Sequence, residues 1–316
     1  MVAQLQRAWV LALAINAVAA VAWSLAAGHA WWIAALLGLL VVHIHAFVLA
    51  LEFAALALVD PGAGLPRPSW QSLVRAWWGE VWTGFRVFCW RQPFRANAVV
   101  DSAQARESVH GRGVLLVHGF LCNRGLWNPW MMRLQERGIP FVAVNLEPTF
   151  GSIDQYVATI EAAIGQLQAM GCAKPLVVAH SMGGLAVRAW LRTSRDDHRV
   201  HSIITIGSPH GGTALARFGF SHNTRQMRPG GPWLSALEAS ESRQRRALFT
   251  CYFGHCDNIV VPASTATLAG ADNRHIPGIA HVHLAFQPQI FDDVLARLGD
   301  APARPVSGAS GLANKA

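Results

Sequence analysis

The side chain with the clearest chemical potential is Ser181, in the run Val177-Val178-Ala179-His180-Ser181-Met182-Gly183-Gly184. A free serine hydroxyl is a poor nucleophile, so one that reacts has to be lifted clear of its surroundings, set beside a base and faced with donors for the oxyanion that forms. A tight strand-to-helix turn does the lifting. Ala179 and Gly183, two residues either side of the serine, are small enough to let strand and helix approach closely, as in G-x-S-x-G with its first glycine replaced by alanine. Leu176 to Ala179 reads as a buried strand, and Leu185, Val187, Trp190 and Leu191 recur at helical spacing after the turn. A base and an acid to orient it are expected from later strand ends, in chain order Ser, Asp, His. Asp257, in Cys256-Asp257-Asn258-Ile259-Val260-Val261-Pro262, follows one predicted strand, and His281, in Gly278-Ile279-Ala280-His281, follows the last. Asp272 and His283 compete with them; His283 falls on the opposite face to His281 if the stretch is extended and on the same face if it loops.

The elements that must position these groups alternate. Gly113 to Val117 is a strand ending in the turn His118-Gly119-Phe120-Leu121-Cys122-Asn123, followed by a helix from about Trp127 to Arg137 and a strand from Phe141 to Leu146. Tyr156, Ile160, Ile164 and Leu167 make 153–170 a helix leading to the serine strand, and Val200 to Ile206 is the next strand. Strands alternating with helices imply a parallel sheet with right-handed crossovers, whose ligands sit at the carboxyl ends of the strands, the edge where Gly119, Ser181 and Ser208 fall. Between that strand and the one at 247–253 lies an insertion, 215–246, which reads either as a lid over the strand ends or as a loop with a helix at Trp233 to Ala239. A strand from Asn273 to Pro277 and a helix from Pro288 to Leu298 close the fold, and the Pro/Ala/Gly/Ser-rich 300–316 is expected to be disordered.

Of the 316 residues 52% are hydrophobic, and mean hydropathy is +0.27, so part of the chain belongs in a membrane. Two apolar segments, Ala8 to Ala27 and Trp31 to Val59, are each long enough to cross a bilayer, and Gly28-His29-Ala30 between them is a tight turn, so 1–60 reads as a two-helix transmembrane hairpin. Arg7 precedes it and Arg67, Arg75, Arg86, Arg91 and Arg95 follow, which by the positive-inside rule puts both ends in the cytoplasm. His43, His45 and Glu52 lie at membrane depth; the two histidines are too close to share one helical face, and Glu52 is expected to reach water at the cytoplasmic end. Nine of the thirteen tryptophans precede residue 91, and those from Ser69 to Arg95 alternate with arginine. That pattern fits an interfacial helix on anionic lipid within a 61–112 juxtamembrane segment, or else aromatics packed on the soluble domain. The net charge of +8 is not gathered into a nucleic-acid motif, so nucleic acid is not an expected partner. The five cysteines have no paired spacing and suit a reducing compartment, and Cys251, His255 and Cys256, with no second C-x-x-C, read as structural.

On His118-Gly119-Phe120, Ala179-His180-Ser181-Met182-Gly183-Gly184, Gly207-Ser208-Pro209-His210-Gly211-Gly212-Thr213, Asp257 in a D-x-x-V-x-P context and Gly278-x-x-His281, residues 113–299 resemble the α/β-hydrolase family and, more narrowly, its bacterial lipase and esterase branch. The resemblance implies an α/β-hydrolase fold behind the hairpin, with Ser181 as nucleophile, His281 as general base and Asp257 as the acid that sets its tautomer. It places the oxyanion hole at the backbone N–H groups of Met182 and Phe120, with Leu121 next in line, and gives His118, His180 and His210 turn-shaping and supporting places. No cofactor or metal is implied. The implied activity is hydrolysis of lipid or acyl-chain esters through an acyl-enzyme at the bacterial inner membrane. Thioester hydrolysis or acyl transfer would use the same residues, and a non-catalytic membrane scaffold is the alternative of another class.

Overall fold

The computed structural model describes residues 1–62, 64–102 and 111–299; segment 300–316 and part of the 61–112 segment lie outside them. Six strands, β1 (Val114–Val117), β2 (Phe141–Ala143), β3 (Leu176–His180), β4 (Ser202–Ile206), β5 (Phe249–Phe253) and β6 (Asp272–His275), form one sheet in the order β2-β1-β3-β4-β5-β6, with every pairing parallel. Because side chains alternate along a strand, Leu115, Val177 and Ile203 join the core on one face while Leu116, Val178 and Ile204 join the core on the other. Strands buried on both faces explain the unbroken apolar runs in the sequence. Helices α6 (Asn128–Glu136), α7 (Val157–Ala169), α8 (Met182–Ser194) and α13 (Pro288–Leu298) cover the two faces, and strand order reverses between β1 and β3, which opens the crevice where Gly119 and Ser181 lie.

The insertion is not a bare loop. It holds three short helices, α9 (His222–Gln226), α10 (Pro232–Ala239) and α11 (Arg243–Arg246), and its later half is tied to the serine helix by a buried ion pair. Arg188 of α8 bonds Glu241 through Nε and Nη2 at 2.7 and 2.9 Å, with its Nη1 on the His210 carbonyl at 2.9 Å. Both side chains are almost wholly out of water, at 1% and 0% exposure. Removing Arg188 leaves the buried Glu241 carboxylate with only its 3.3 Å contact to Arg246 Nε, so Arg188→Ala is expected to destabilise the fold by up to about 3 kcal/mol, read as a lower denaturant midpoint. The earlier half of the insertion instead presents Phe218 and Phe220 to solvent, 78% and 83% exposed.

The N-terminal region comprises α1 (Val2–Ala26), α2 (Trp31–Val42), α3 (Ile44–Leu56) and α4 (Trp70–Gly84), the last running through a π-helical stretch, Phe85–Arg91, into α5 (Gln92–Phe94). Helix α1 is long and apolar enough to cross a membrane, and it packs antiparallel on α2 through the turn at Gly28, where φ is +79°. It begins at Val2 rather than near Ala8 and takes in Arg7, whose Nε donates to the Pro93 carbonyl at 2.5 Å. The second expected span is not one straight helix, since α2 and α3 meet at 57°. The break falls at His43, whose Nδ1 turns back onto the Leu39 carbonyl at 2.9 Å, the same oxygen that accepts the His43 N–H.

Two further expectations are corrected here. Glu52 does not simply reach water; its Oε2 accepts from Asn258 Nδ2 at 2.7 Å, beside Asp257. The tryptophan helix α4 is neither wholly interfacial nor wholly packed. Leu73, Ala76, Glu80 and Val81 are buried, while Trp70, Trp78 and Trp82 face outward. Phe53 and Leu56 of α3 share a small core with Ala76 of α4 and with Val261 and Ala280 from beyond the sheet strands, and Trp77 Nε1 donates to the Ala46 carbonyl at 2.9 Å.

Candidate active site

Ser181 stands between β3 and α8 with φ 56° and ψ −131°, a conformation a non-glycine residue holds only when its surroundings impose it. Its N–H is fixed by the Ile206 carbonyl at 2.9 Å. Helix α8 can start immediately afterwards because Gly183 has no side chain, as a Cβ there would lie 2.6 Å from the His118 carbonyl oxygen. The helix therefore comes hard against the end of β1, and the Met182 N–H, at the first helical position, is one of the donors that α8 itself does not use. The register Val117↔Ala179 carries Gly119 opposite Ser181, so Phe120 and Leu121 follow at the mouth of the crevice. Leu121 has φ 54°, its carbonyl accepts from Gln6 of α1 at 3.2 Å, and the Phe120 ring meets Phe150 edge to face.

Asp257 and His281 are brought together from separate strand ends. His281 Nδ1 donates to Asp257 Oδ2 at 2.8 Å, while Asp257 Oδ1 accepts the N–H groups of Ile259 and Val260, each at 2.8 Å. A carboxylate so held assigns the proton to Nδ1 and leaves Nε2 as the basic nitrogen. The pair sits beside the serine turn. Gly207 follows Ile206, the residue that bonds Ser181, and a Cβ on Gly207 would lie 3.1 Å from Asp257 Oδ2 and 3.2 Å from His281 Nδ1. His180, next to Ser181, has its ring 4.7 Å from that of His281 and its Nε2 3.2 Å from the His281 carbonyl. Burial holds His180 well below the usual imidazole pKa, so it stays neutral. Burial also opposes the charged form of His281, but the Asp257 carboxylate, its hydrogen bond, and the charges of Glu80 and Glu52 outweigh this and raise the pKa above the ordinary value.

The competing residues lie elsewhere. Asp272 opens β6, at the far end of the sheet from Ser181, and pairs with Arg274 at 2.8 Å. His283 shares the short helix α12 (His281–Leu284) with His281, yet its ring packs on Gly79 of α4, where no Cβ would fit. His118 accepts the Leu146 N–H at 3.0 Å and sits 2.9 Å from the Gly119 carbonyl, bracing the turn; burial brings its pKa down to about 4. His210 contacts Thr205 at 2.9 Å beneath the site. Among the described residues no group of three His, Cys, Asp or Glu side chains could hold a metal ion, His255 bonds His275 at 2.8 Å, and all five cysteines are free.

Glu80 was not legible as a site neighbour in the sequence. Its carboxylate, from α4, is buried against α12 and accepts the N–H groups of Val282 and His283. The one available signal was its place as the lone acid in the tryptophan-rich run 69–95.

A model of the alpha/beta hydrolase family matches residues 114–309. No curated protein matches the sequence. Among solved structures, the mature lipase BlEst2 of Bacillus licheniformis is 16% identical with a TM-score of 0.54, covering 63% of this chain and 96% of its own. Lipase B of Aspergillus fumigatus is 19% identical with a TM-score of 0.56, covering 64% of this chain and 56% of its own. These likenesses concern the fold, and each covers under two thirds of this chain.

Proposed function

The chain belongs to the alpha/beta hydrolase family, and from that premise we propose that it is a membrane-anchored serine hydrolase cleaving carboxylic esters through Ser181, His281 and Asp257. The observation that carries the reading is the Asp257–His281 hydrogen bond of 2.8 Å set beside the strained Ser181 turn. In this mechanism His281 Nε2 takes the Ser181 proton as Oγ attacks the ester carbonyl, and Asp257 stabilises the imidazolium. The N–H groups of Met182 and Phe120, with Leu121 beside them, hold the oxyanion. Collapse expels the alcohol with the proton from His281, leaving an acyl-enzyme; water then repeats the sequence, with His281 again as base, and releases the acid.

Lipid or acyl-chain esters are the proposed substrate class. The half-exposed Phe150 meets Phe120 of the turn, the insertion presents Phe218 and Phe220 to solvent, and α1 meets the mouth of the crevice through Gln6. The lipase names of the structural neighbours agree with this choice. The outward rings of Trp70, Trp78 and Trp82 suit headgroup depth on an anionic leaflet, with the catalytic side facing the cytoplasm. The test is a fluorophosphonate probe on the detergent-solubilised full chain, with a panel of p-nitrophenyl and glyceride esters. Labelling mapped to Ser181 together with turnover supports the reading. A folded chain that neither labels nor turns over any ester is a scaffold, and the proposal falls.

A further inference from the structure

The helix that bears His281 is four residues long, and its N-cap, Ala280, offers no side chain to the backbone donors of its first turn. Such donors are costly when buried without partners. Glu80 supplies the acceptors from 202 residues away. Its Oε1 and Oε2 lie 2.9 and 3.1 Å from the Val282 nitrogen, and Oε2 lies 3.0 Å from the His283 nitrogen. The residue is 3% exposed, so these bonds form out of water, where a charged acceptor counts for most. They pin the two peptide planes that follow His281, and with them the direction of its Cα–Cβ bond. Gly79, next to Glu80, gives the closeness of fit, since the His283 ring fills the space a Cβ would need. The loop of the acid is met in the same way from the neighbouring helix, through the Glu52–Asn258 bond of 2.7 Å.

We propose that Glu80, from the juxtamembrane helix α4, is a positioning residue for the general base, locking the His281 turn through the Val282 and His283 N–H groups and setting a negative charge behind the imidazole. This rests on the assignment of His281 as base. The N-terminal region is then part of the catalytic apparatus and not only an anchor. Aligning the base is a matter of fractions of an ångström, so its loss shows in turnover more than in binding.

The charge has a signature of its own. The groups that face His281 are Asp257 from the loop after β5, Glu80 from α4, Glu52 from α3 and His180 from β3; those that face Glu80 are His281 and Asp257, besides the two N–H groups. The anions favour imidazolium, and His281 acts as a base only when neutral, so activity is lost as pH falls through its raised pKa. Burial pushes Glu80 itself up to about 7, and its charge is among those that raise the His281 pKa, so the two titrations are coupled. Removing the Glu80 charge takes away part of what favours the imidazolium, and the acidic limb moves to lower pH.

The experiment compares the full-length parent, Glu80→Ala, Glu80→Gln and Ser181→Ala in detergent, with active sites counted by fluorophosphonate and kcat, KM and pH profiles measured on one ester. Glu80→Ala is expected to lower kcat about 30-fold with KM within about twofold, and Glu80→Gln, which keeps one acceptor in place, to recover to within about fivefold of the parent. Both should shift the acidic limb of kcat/KM downward, which a fault in folding alone would not do. Turnover of folded Glu80→Ala within twofold of the parent, or an unmoved limb in either folded variant, overturns the proposal. If Glu80→Ala does not fold, the isosteric Glu80→Gln decides by the acidic limb alone. Failure of the underlying assignment looks different, because His281→Ala, assayed beside these variants, would then keep much of its turnover, and Ser181→Ala would do so if the nucleophile were wrong as well.

Discussion

Ser181→Ala is expected to reduce ester hydrolysis about 10⁶-fold, the loss found when the nucleophile of a serine triad is removed, equivalent to about 8 kcal/mol of transition-state stabilisation. The hydroxyl is the only group lost. Alanine keeps the Cβ, so the strain of φ 56° at this turn is unchanged, and the bond from the residue 181 N–H to Ile206 persists. Stability should therefore stay within about 0.5 kcal/mol of the parent. The oxyanion donors remain, and they leave roughly 10³ to 10⁴ of catalysis over water, which sets the residual rate. The measurement is hydrolysis of a short p-nitrophenyl ester by purified variant and parent in the same detergent, with unfolding followed in parallel. Turnover within a hundredfold of the parent in a folded variant would rule out a covalent route through this residue.

Parts of this arrangement could be read directly from the chain because local chemistry fixes them. The turn at Ser181 announces itself through small residues that only a close strand-to-helix junction requires, and the buried strands show as apolar runs because both faces of the sheet are covered. The order in which the sheet delivers Asp257 and His281 follows from parallel topology. Long-range packing leaves no such trace. A glutamate in a helix of alternating tryptophan and arginine looks like a solvated charge, and nothing around Glu80 in the sequence tells that it ends beneath Val282. Glu52 misleads for the same reason, since its partner Asn258 lies 206 residues on. The kink at His43 was hidden by composition, as 31–59 is apolar on both sides of the break.

The competition between His281 and His283 gives the other large effect, and it separates geometry from mere proximity in sequence. His281→Ala should lower the rate about 10⁶-fold as well, because without a base the Ser181 hydroxyl stays protonated and the leaving alcohol has no proton source. His283 lies one helical step beyond the base but on the side that meets α4, with Nδ1 buried and lacking a hydrogen-bond partner. Its ring is placed to pack. His283→Ala opens a gap against Gly79 while keeping the backbone N–H that Glu80 accepts, so a loss of about tenfold or less in kcat is expected, together with about 1–3 kcal/mol of stability. Doubling the two substitutions should add nothing to the catalytic loss of His281→Ala, since a base already absent cannot be misplaced further. Rates for the two single variants and the double variant, on one ester and per folded molecule, decide it. If His283→Ala proves the more damaging of the two, the base has been assigned to the wrong face of α12, and with it the role given to Asp257.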